Sequence, residues 1–341
     1  MNNKKAVFSN KPQISITCSS TGRMWLVFFC AFACVLQSSL TDGGRSLVIA
    51  VTSLISAVLT EFLLTYKVHK AEKIKDGSAC ATAMILTLLL PNQIHPVYVF
   101  LGAAFSIAVV KYSFGGLGAN WLNPALGGWL FIRFSWHSAY NQALNDANSS
   151  ISEMVVSKDL SKIDNAFTEF FNNVVLPVTG VQMPSGYFDL LFLGGSGIIT
   201  DRGVFALLIG TIVITAIGIN RGWIPLVFIA VYSFLIRFAG DANGIMWNGD
   251  MLYGLFSGGT IAAAFILAAE PASGAKLKYG VFFTVILGAV FSWFFRYKCM
   301  EYSGCFIALA LVNCITPLVR LVEEKLFLSH KSSAKLQEKV L

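Results

Sequence analysis

The chain has 341 residues, 55% of them hydrophobic and only 13% charged, with 28 phenylalanines and a mean hydropathy of +0.67. Soluble domains carry roughly 25% charged residues, so this composition excludes a soluble globular protein and describes a polytopic membrane protein. The formal net charge of +7 does not point to nucleic acid, because Lys and Arg gather in short loops and at the two ends, where they act as topology signals.

The first 22 residues are polar and basic, and the first apolar run lacks a small-residue cleavage site, so no removable signal peptide is expected. A bilayer core needs about 20 apolar residues per spanning helix, whereas runs of about 12 are half-helices or re-entrant pieces. On that rule residues 24–40, 46–68, 78–90, 96–114 and 121–134 form five elements, the third and fifth short, as broken helices are. Residues 137–185 then carry Asp146, Glu153, Lys158, Asp159, Lys162, Asp164 and Glu169 among many Asn and Ser. A loop of that length is a water-facing excursion. The apolar patch at 187–200 is too short and too glycine-broken to span, and reads as a re-entrant or interfacial segment. Five more elements follow at 204–219, 223–239, 251–269, 279–295 and 303–319.

The two groups of five rhyme. In each, the third element is rich in Ala and Thr and stops at a proline, Pro91 or Pro271, and the fifth places a proline close behind an Asn, at Asn123–Pro124 and Asn313–Pro317. An odd number of spans per copy forces the copies into opposite orientations, the inverted-repeat plan of many transporters. The expected fold is therefore all-α, with about ten transmembrane helices in two inverted five-helix repeats containing broken helices. The expected divisions are an N-terminal arm at 1–23, a first repeat at 24–136, a loop with its re-entrant segment at 137–202, a second repeat at 203–320 and a tail at 321–341. Lys4, Lys5, Lys11, Arg23, the lysines of 67–75, Arg221, Lys276, Lys278 and the tail lysines fall on one side of such a plan. The positive-inside rule makes that side, with both termini, cytoplasmic, and puts the 137–200 excursion outside the cytoplasmic membrane. Arg296 and Lys298 are the exception.

Residues 76–128 concentrate unusual backbone: two apolar runs, a proline stop, the glycine-rich GGLG and an Asn-Pro-Ala turn. Broken helices are tolerated at membrane depth only where protein or a wet cavity receives the freed N–H and C=O groups, so a pocket is expected there. Charges within or beside the apolar runs are Glu61, Asp76, Lys111, Arg133, Asp189, Arg237, Glu270 and Arg296. Such charges mark a pathway or ligand site, or else snorkel at helix ends, a reading open for Arg133, Arg237 and Arg296. Glu61 lies inside a span and must pair with a cation or be protonated. No nucleophile elbow, P-loop or other catalytic motif occurs, and the histidines at 69, 95, 137 and 330 lie far apart, so no catalytic side chain and no metal site is expected. The seven cysteines form no C-x-x-C pair and read as packing residues.

DGSACATAMILTLLLP from Asp76, Lys111 before the glycines, GGLGANWLNPALGG, FLGGSG at 192–197, AAEPAS at 268–273, Arg296 and the 313–317 turn together resemble the D subunit of the Rnf electron-transport complex. That family is related to the B subunit of sodium-pumping NADH:quinone reductase. The resemblance implies a membrane subunit of an Na⁺- or H⁺-translocating ferredoxin:NAD oxidoreductase in the bacterial inner membrane, working through flavin with partner subunits. It also implies FMN esterified to a Thr ending an Asp-x-x-Ser/Thr-Gly-Ala-Ser/Thr motif. Here the match is LPVTGVQ, with Thr179 at its centre and Gln182, which has no hydroxyl, in the acceptor position. Covalent FMN at that position is thus not expected, and a non-covalent flavin, FMN or riboflavin, remains. Its slot would be supplied by Asp76, Lys111, Trp121, Asn123 and Pro124 with Gly194, Gly195 and Ser196, and the ion path by Glu61, Glu270 and Asn313. The five-plus-five plan also resembles urea-transporter architecture, which leaves open a channel or secondary transporter for a small polar solute, or a structural subunit without cofactor.

Overall fold

The computed structural model describes residues 19–66, 76–116, 118–157, 197–219, 221–239 and 249–340, with isolated residues between 169 and 191. Among them there is no strand, only one antiparallel bridge between Pro91 and Ile198. The helices are α1 (Ser20–Asp42), α2 (Arg45–Tyr66), α3 (Ser78–Leu88), α4 (Pro96–Phe105), α5 (Pro124–Ser135), α6 (His137–Ser157), α7 (Ile199–Arg202), α8 (Val204–Ala216), α9 (Trp223–Ala239), α10 (Met251–Phe256), α11 (Thr260–Ala262), α12 (Lys278–Trp293) and α13 (Gly304–Val340). α4, α11 and α12 each run on as π-helix, over Ser106–Tyr112, Ala263–Leu267 and Phe294–Lys298. Four stretches, Ser20–Asp42, Arg45–Tyr66, Lys278–Lys298 and Gly304–Lys325, are long and apolar enough to cross a membrane, and four more are apolar but shorter.

α2 shows why this sequence suits lipid. It buries Ser46, Ser53, Ser56 and Glu61 and leaves Val48, Val51, Ile55, Leu59 and Phe62 exposed along one face. A soluble helix does the reverse. The small inward residues allow close contact with α3 and α4, and their hydroxyls reach across: Ser53 Oγ donates to the Ala83 carbonyl at 3.0 Å and Ser56 Oγ to that of Phe100. α4 and α5 approach through glycine. A Cβ on Gly128 would stand 2.8 Å from the Gly102 carbonyl oxygen and 2.9 Å from Ser106 Cβ.

Helix ends are closed by distant segments. α3 stops ahead of Pro91, and its freed carbonyls are taken up from the far half of the chain, Leu90 by the Ile199 N–H at 3.0 Å and Leu88 by Thr200 Oγ1. α5 starts at Pro124 because Asn123 caps it, Oδ1 accepting from the N–H groups of Ala125 at 2.9 Å and Leu126 at 3.2 Å. The loop 271–277 is gripped by α13: Arg320 donates to the carbonyls of Ala272 and Gly274, and Glu323 accepts from the N–H groups of Lys276 and Leu277. Burial, then the nearby Arg320 and Arg221, push the Lys276 ammonium pKa down in this loop.

Three elements differ from expectation. The run 251–269 is not one helix: it breaks at Gly258 and Gly259, whose φ values of +66° and +70° exclude an ordinary side chain. Their N–H groups both donate to Asp201 at 2.8 Å. The excursion opens as helix α6, which buries Tyr140, Ala143 and Ala147 at helical spacing among polar residues. α13 does not end near 319 but continues to Val340 with Pro317 inside it. The lysine loop 67–75, the arm 1–18 and most of the 187–200 segment lie outside the described residues.

Gly128→Ala should lower the thermal stability of the detergent-solubilised protein by about 1–3 kcal/mol, as overpacking does. Gly288→Ala, whose new methyl comes tightly only against the flexible end of Leu309 at 3.2 Å and otherwise makes ordinary contacts with Phe228 and Val312, should have a smaller effect in the same measurement.

Candidate functional site

α2 carries Glu61 inward, and the π-helical end of α4 brings Lys111 to meet it. Lys111 Nζ lies 2.6 Å from Glu61 Oε1, with side-chain exposures of 3% and 2%, so the pair is buried. The ammonium also donates to Ser78 Oγ at 2.6 Å, Tyr112 donates its hydroxyl to Glu61 at 3.0 Å, and Ser78 donates onward to Asp76 at 2.6 Å. One connected network thus joins α2, the start of α3 and the end of α4, with two carboxylates linked to one ammonium.

Lys111 and Ser78 face a cavity of about 640 Å³ between the helices of the first half and the 266–276 region of the second. Its walls are apolar at Met24, Val27, Ile85, Ile214, Ile219 and Ile266, and polar at Arg23, Asn120, Asn123, Glu270 and Lys276. Asn123 spans the gap: while its oxygen caps α5, its Nδ2 donates to Glu270 Oε2 at 2.8 Å, and Ser273 Oγ donates to the same oxygen at 2.9 Å. Asn120, oriented with its amide nitrogen towards the glycine loop, donates to the carbonyls of Gly116 and Lys111. That loop needs glycine, since Gly115, Gly116 and Gly118 have φ of +103°, +92° and +86°.

The structure brings Lys111, Asn123, Pro124 and Glu270 to the cavity wall. Glu61 and Asp76 stand behind Lys111 and Ser78, and Trp121 packs edge-on against Phe114 at 5.9 Å, away from the lining. Asn313 lines a second, smaller cavity on the other side of Glu270. Thr179, Gly194, Gly195, Ser196 and Gln182 lie outside the described residues. Sequence reasoning missed Arg23, Ser78, Asn120 and Lys276 as wall residues; Ser78 and Asn120 sit inside motifs already singled out, whereas Arg23 and Lys276 read as topology charges.

A second buried cation lies in the other half. Arg296, on the π-helical end of α12, donates to the carbonyls of Gly254 at 2.8 Å and Ser257 at 2.7 Å, and to Ser257 Oγ, Thr260 Oγ1 and Tyr232. It does not snorkel. Neither does Arg133, which is 6% exposed and holds both oxygens of Glu301 at 3.0 Å. Arg237 is exposed near the end of α9. No cluster of three or more His, Cys, Asp or Glu placed to hold a metal ion occurs among the described residues.

Inward-facing serines, outward-facing aliphatics, broken helices and buried, hydrogen-bonded charges around a cavity define a multi-pass membrane protein with an internal site. The chain belongs to the NQR2, RnfD, RnfE family, whose model matches residues 7–327. It is 27% identical over 321 residues to the D subunit of the proton-translocating ferredoxin:NAD(+) oxidoreductase complex of Clostridium ljungdahlii, covering 93% of this chain and 94% of the relative. It is 26% identical over 335 residues to the D subunit of the Na(+)-translocating ferredoxin:NAD(+) oxidoreductase complex of Acetobacterium woodii, covering 96% of each. The D subunit of an ion-translocating oxidoreductase complex of Methanosarcina acetivorans is 25% identical over 275 residues, 80% of this chain and 79% of that protein.

Glu61→Leu should destabilise the protein by about 3–5 kcal/mol, because it strands a buried ammonium. The double variant Glu61→Leu/Lys111→Met should recover most of that loss; thermal unfolding in detergent reads both.

Proposed function

We propose that this chain is the D-type membrane subunit of an ion-translocating ferredoxin:NAD⁺ oxidoreductase complex, passing electrons through flavin while Na⁺ or H⁺ crosses the membrane. The observation that carries the reading is likeness along the whole chain to relatives so named, covering 93% and 96% of it in two of them. Partner subunits follow from the same names.

The ten-helix, two-repeat plan is part of this reading. In its favour, packing recurs: α2 on α3 and α4, and α4 on α5, parallel α9 on the α11 segment and α12, and α12 on α13. Each half also ends its fourth element in a π-helix carrying a buried cation, Lys111 or Arg296, bonded to the start of its third. Inversion would put the two cations near opposite faces, with both termini cytoplasmic, 137–202 outside and the whole in the bacterial inner membrane.

The large cavity suits a non-covalent flavin. Its volume falls in the range of about 300–1,000 Å³ typical of cofactor sites, with apolar walls and few polar groups. Asn120 and Asn123 would orient the ring edge, while Lys111, Arg23 and Lys276 would favour a reduced, anionic ring. When bound, the flavin supplies one- and two-electron chemistry; the protein's part is to exclude water and hold charge. FMN in ester linkage finds no hydroxyl at Gln182. A solute channel remains the rival.

The purified complex is expected to release flavin on acid denaturation, with no fluorescence on the 37 kDa band in a denaturing gel. Asn123→Ala should reduce retained flavin several-fold, and substitutions at 141–146 should not. Complete absence of flavin, or solute uptake by the isolated chain in liposomes, would overturn the reading.

A further inference from the structure

Cations gather at the end of the bundle where α9 and α12 begin. Arg320 on α13 donates from Nε to the Gly274 carbonyl at 3.1 Å and from Nη2 to that of Ala272 at 2.7 Å, which fixes its guanidinium beside the loop that carries Lys276. Lys276 Nζ turns back to the Pro271 carbonyl at 2.9 Å. Arg221 lies two residues ahead of Trp223, whose ring stands 6.5 Å from that of Phe282 near the start of α12. Lys278 is the first residue of α12. The charges act on one another: after burial, Arg320 and then Arg221 push the Lys276 ammonium pKa down, against the opposite pull of Glu323 and Glu270.

No carboxylate pairs with any of these cations. Among the described residues the ion pairs are Lys111 with Glu61 and Arg133 with Glu301. Glu323 spends its oxygens on the N–H groups of Lys276 and Leu277, and Glu270 is turned to Asn123 and Ser273. Arg320 Nη1, the Arg221 guanidinium and two of the three Lys276 ammonium hydrogens meet no acceptor among the described residues. A loop cation that only marks topology is hydrated and gains nothing from standing against other cations. The surface beside the cluster is apolar. Trp223 and Leu226 lie a helical turn apart on α9, Tyr279 and Phe282 a turn apart on α12, and Leu226, Tyr279 and Phe282 are exposed. Aromatic rings at helix starts with cations just beyond them are the pattern of a membrane–water boundary.

We propose that Arg221, Lys276, Lys278 and Arg320 bind the phosphate headgroup of an acidic phospholipid whose acyl chains lie along the face of Trp223, Leu226 and Phe282. A soluble anion would use the cations and leave the apolar face bare, whereas a phospholipid uses both. Basic groups between helices at a membrane surface recognise acidic lipids in this way. The phosphodiester supplies the acceptor oxygens and the negative charge that the protein does not provide at this place. It also braces the 271–277 loop, which walls the large cavity at Pro271, Ala272 and Lys276. The site stands whatever that cavity holds.

The test places the purified membrane complex in phosphatidylcholine nanodiscs with a rising fraction of phosphatidylglycerol and follows thermal unfolding of this subunit. Wild type should show a saturable upward shift of the midpoint. Arg221→Gln should raise the half-saturating phosphatidylglycerol fraction about five-fold, as expected for one basic residue at an acidic lipid surface, without lowering the midpoint in phosphatidylcholine alone. Arg221→Lys, which keeps the charge, should restore most of the response. Lys278→Gln should act like Arg221→Gln and serves if that variant fails to assemble. Lys298→Gln, at the opposite end of the same helix and stacked on Trp293, should leave the titration unchanged. Three results would overturn the site: a wild-type midpoint indifferent to phosphatidylglycerol, an undiminished response in both Gln variants, or a shift of equal size produced by inorganic phosphate in pure phosphatidylcholine. The last would mean that a soluble anion, and not a lipid, fills it.

Discussion

Inside a bilayer a backbone group that loses its helical partner cannot turn to water, and each such group costs several kcal/mol. That constraint explains many long-range bonds among the described residues. The four residues of α7 show it in the least space. Ile199 and Thr200 accommodate the carbonyls left open where α3 stops, Asp201 receives the N–H groups left open between α10 and α11, and Arg202 donates to the Ala147 carbonyl at 2.8 Å. One turn of helix thereby joins three segments that are otherwise far apart in sequence. Its side chains are all buried. The broken helices are sources of cohesion, since the groups they release are what the distant parts of the chain bind to.

The same constraint shapes the cavity. Asn123 caps a helix that begins in the interior, and its spare N–H₂ reaches Glu270. Glu270 follows the π-helical end of α11 in a turn held by Arg320 and Glu323. Polar groups thus reach the interior because helix termini are there, and the termini are there because Pro91, Pro124 and the Gly258–Gly259 pair end or start helices. Close packing by small residues and the formation of a site, which the sequence leaves as rival explanations of the glycines, divide between positions: Gly102 and Gly128 are where backbones touch, and Gly115, Gly116 and Gly118 turn the chain beside the cavity.

Apolar run lengths made the four helices long enough to cross a membrane legible, because lipid imposes a length. The pocket at 76–128 was legible for a similar reason, since Pro91, the GGLG run and Asn123–Pro124 are backbone signals that act locally. Glu61 was readable as a residue in need of a partner, but its partner was not: fifty positions separate it from Lys111, and nothing local gives the azimuth of a lysine on a π-turn. α7 was invisible in the same way, because ITDR acquires meaning only from what surrounds it. α6 hid for a different reason, its buried stripe being made of one Tyr and two Ala within polar sequence. The break at Gly258 was masked by the continuous hydrophobicity of 251–269.

A π-turn is an α-helix with one extra residue accommodated in its winding. Lys111 and Arg296 both stand on such turns, so the direction each cation points is fixed by how many residues precede it in the helix as much as by its own identity. Losing one residue from the regular part of α4 ahead of Ser106, where no wide turn absorbs the change, would swing everything beyond it by about 100° around the axis. The ammonium would then leave its carboxylate although no charged residue had changed. Along these two segments the quantity under constraint is therefore chain length, and a comparison of relatives that tallies substitutions while ignoring single-residue gaps would overlook it.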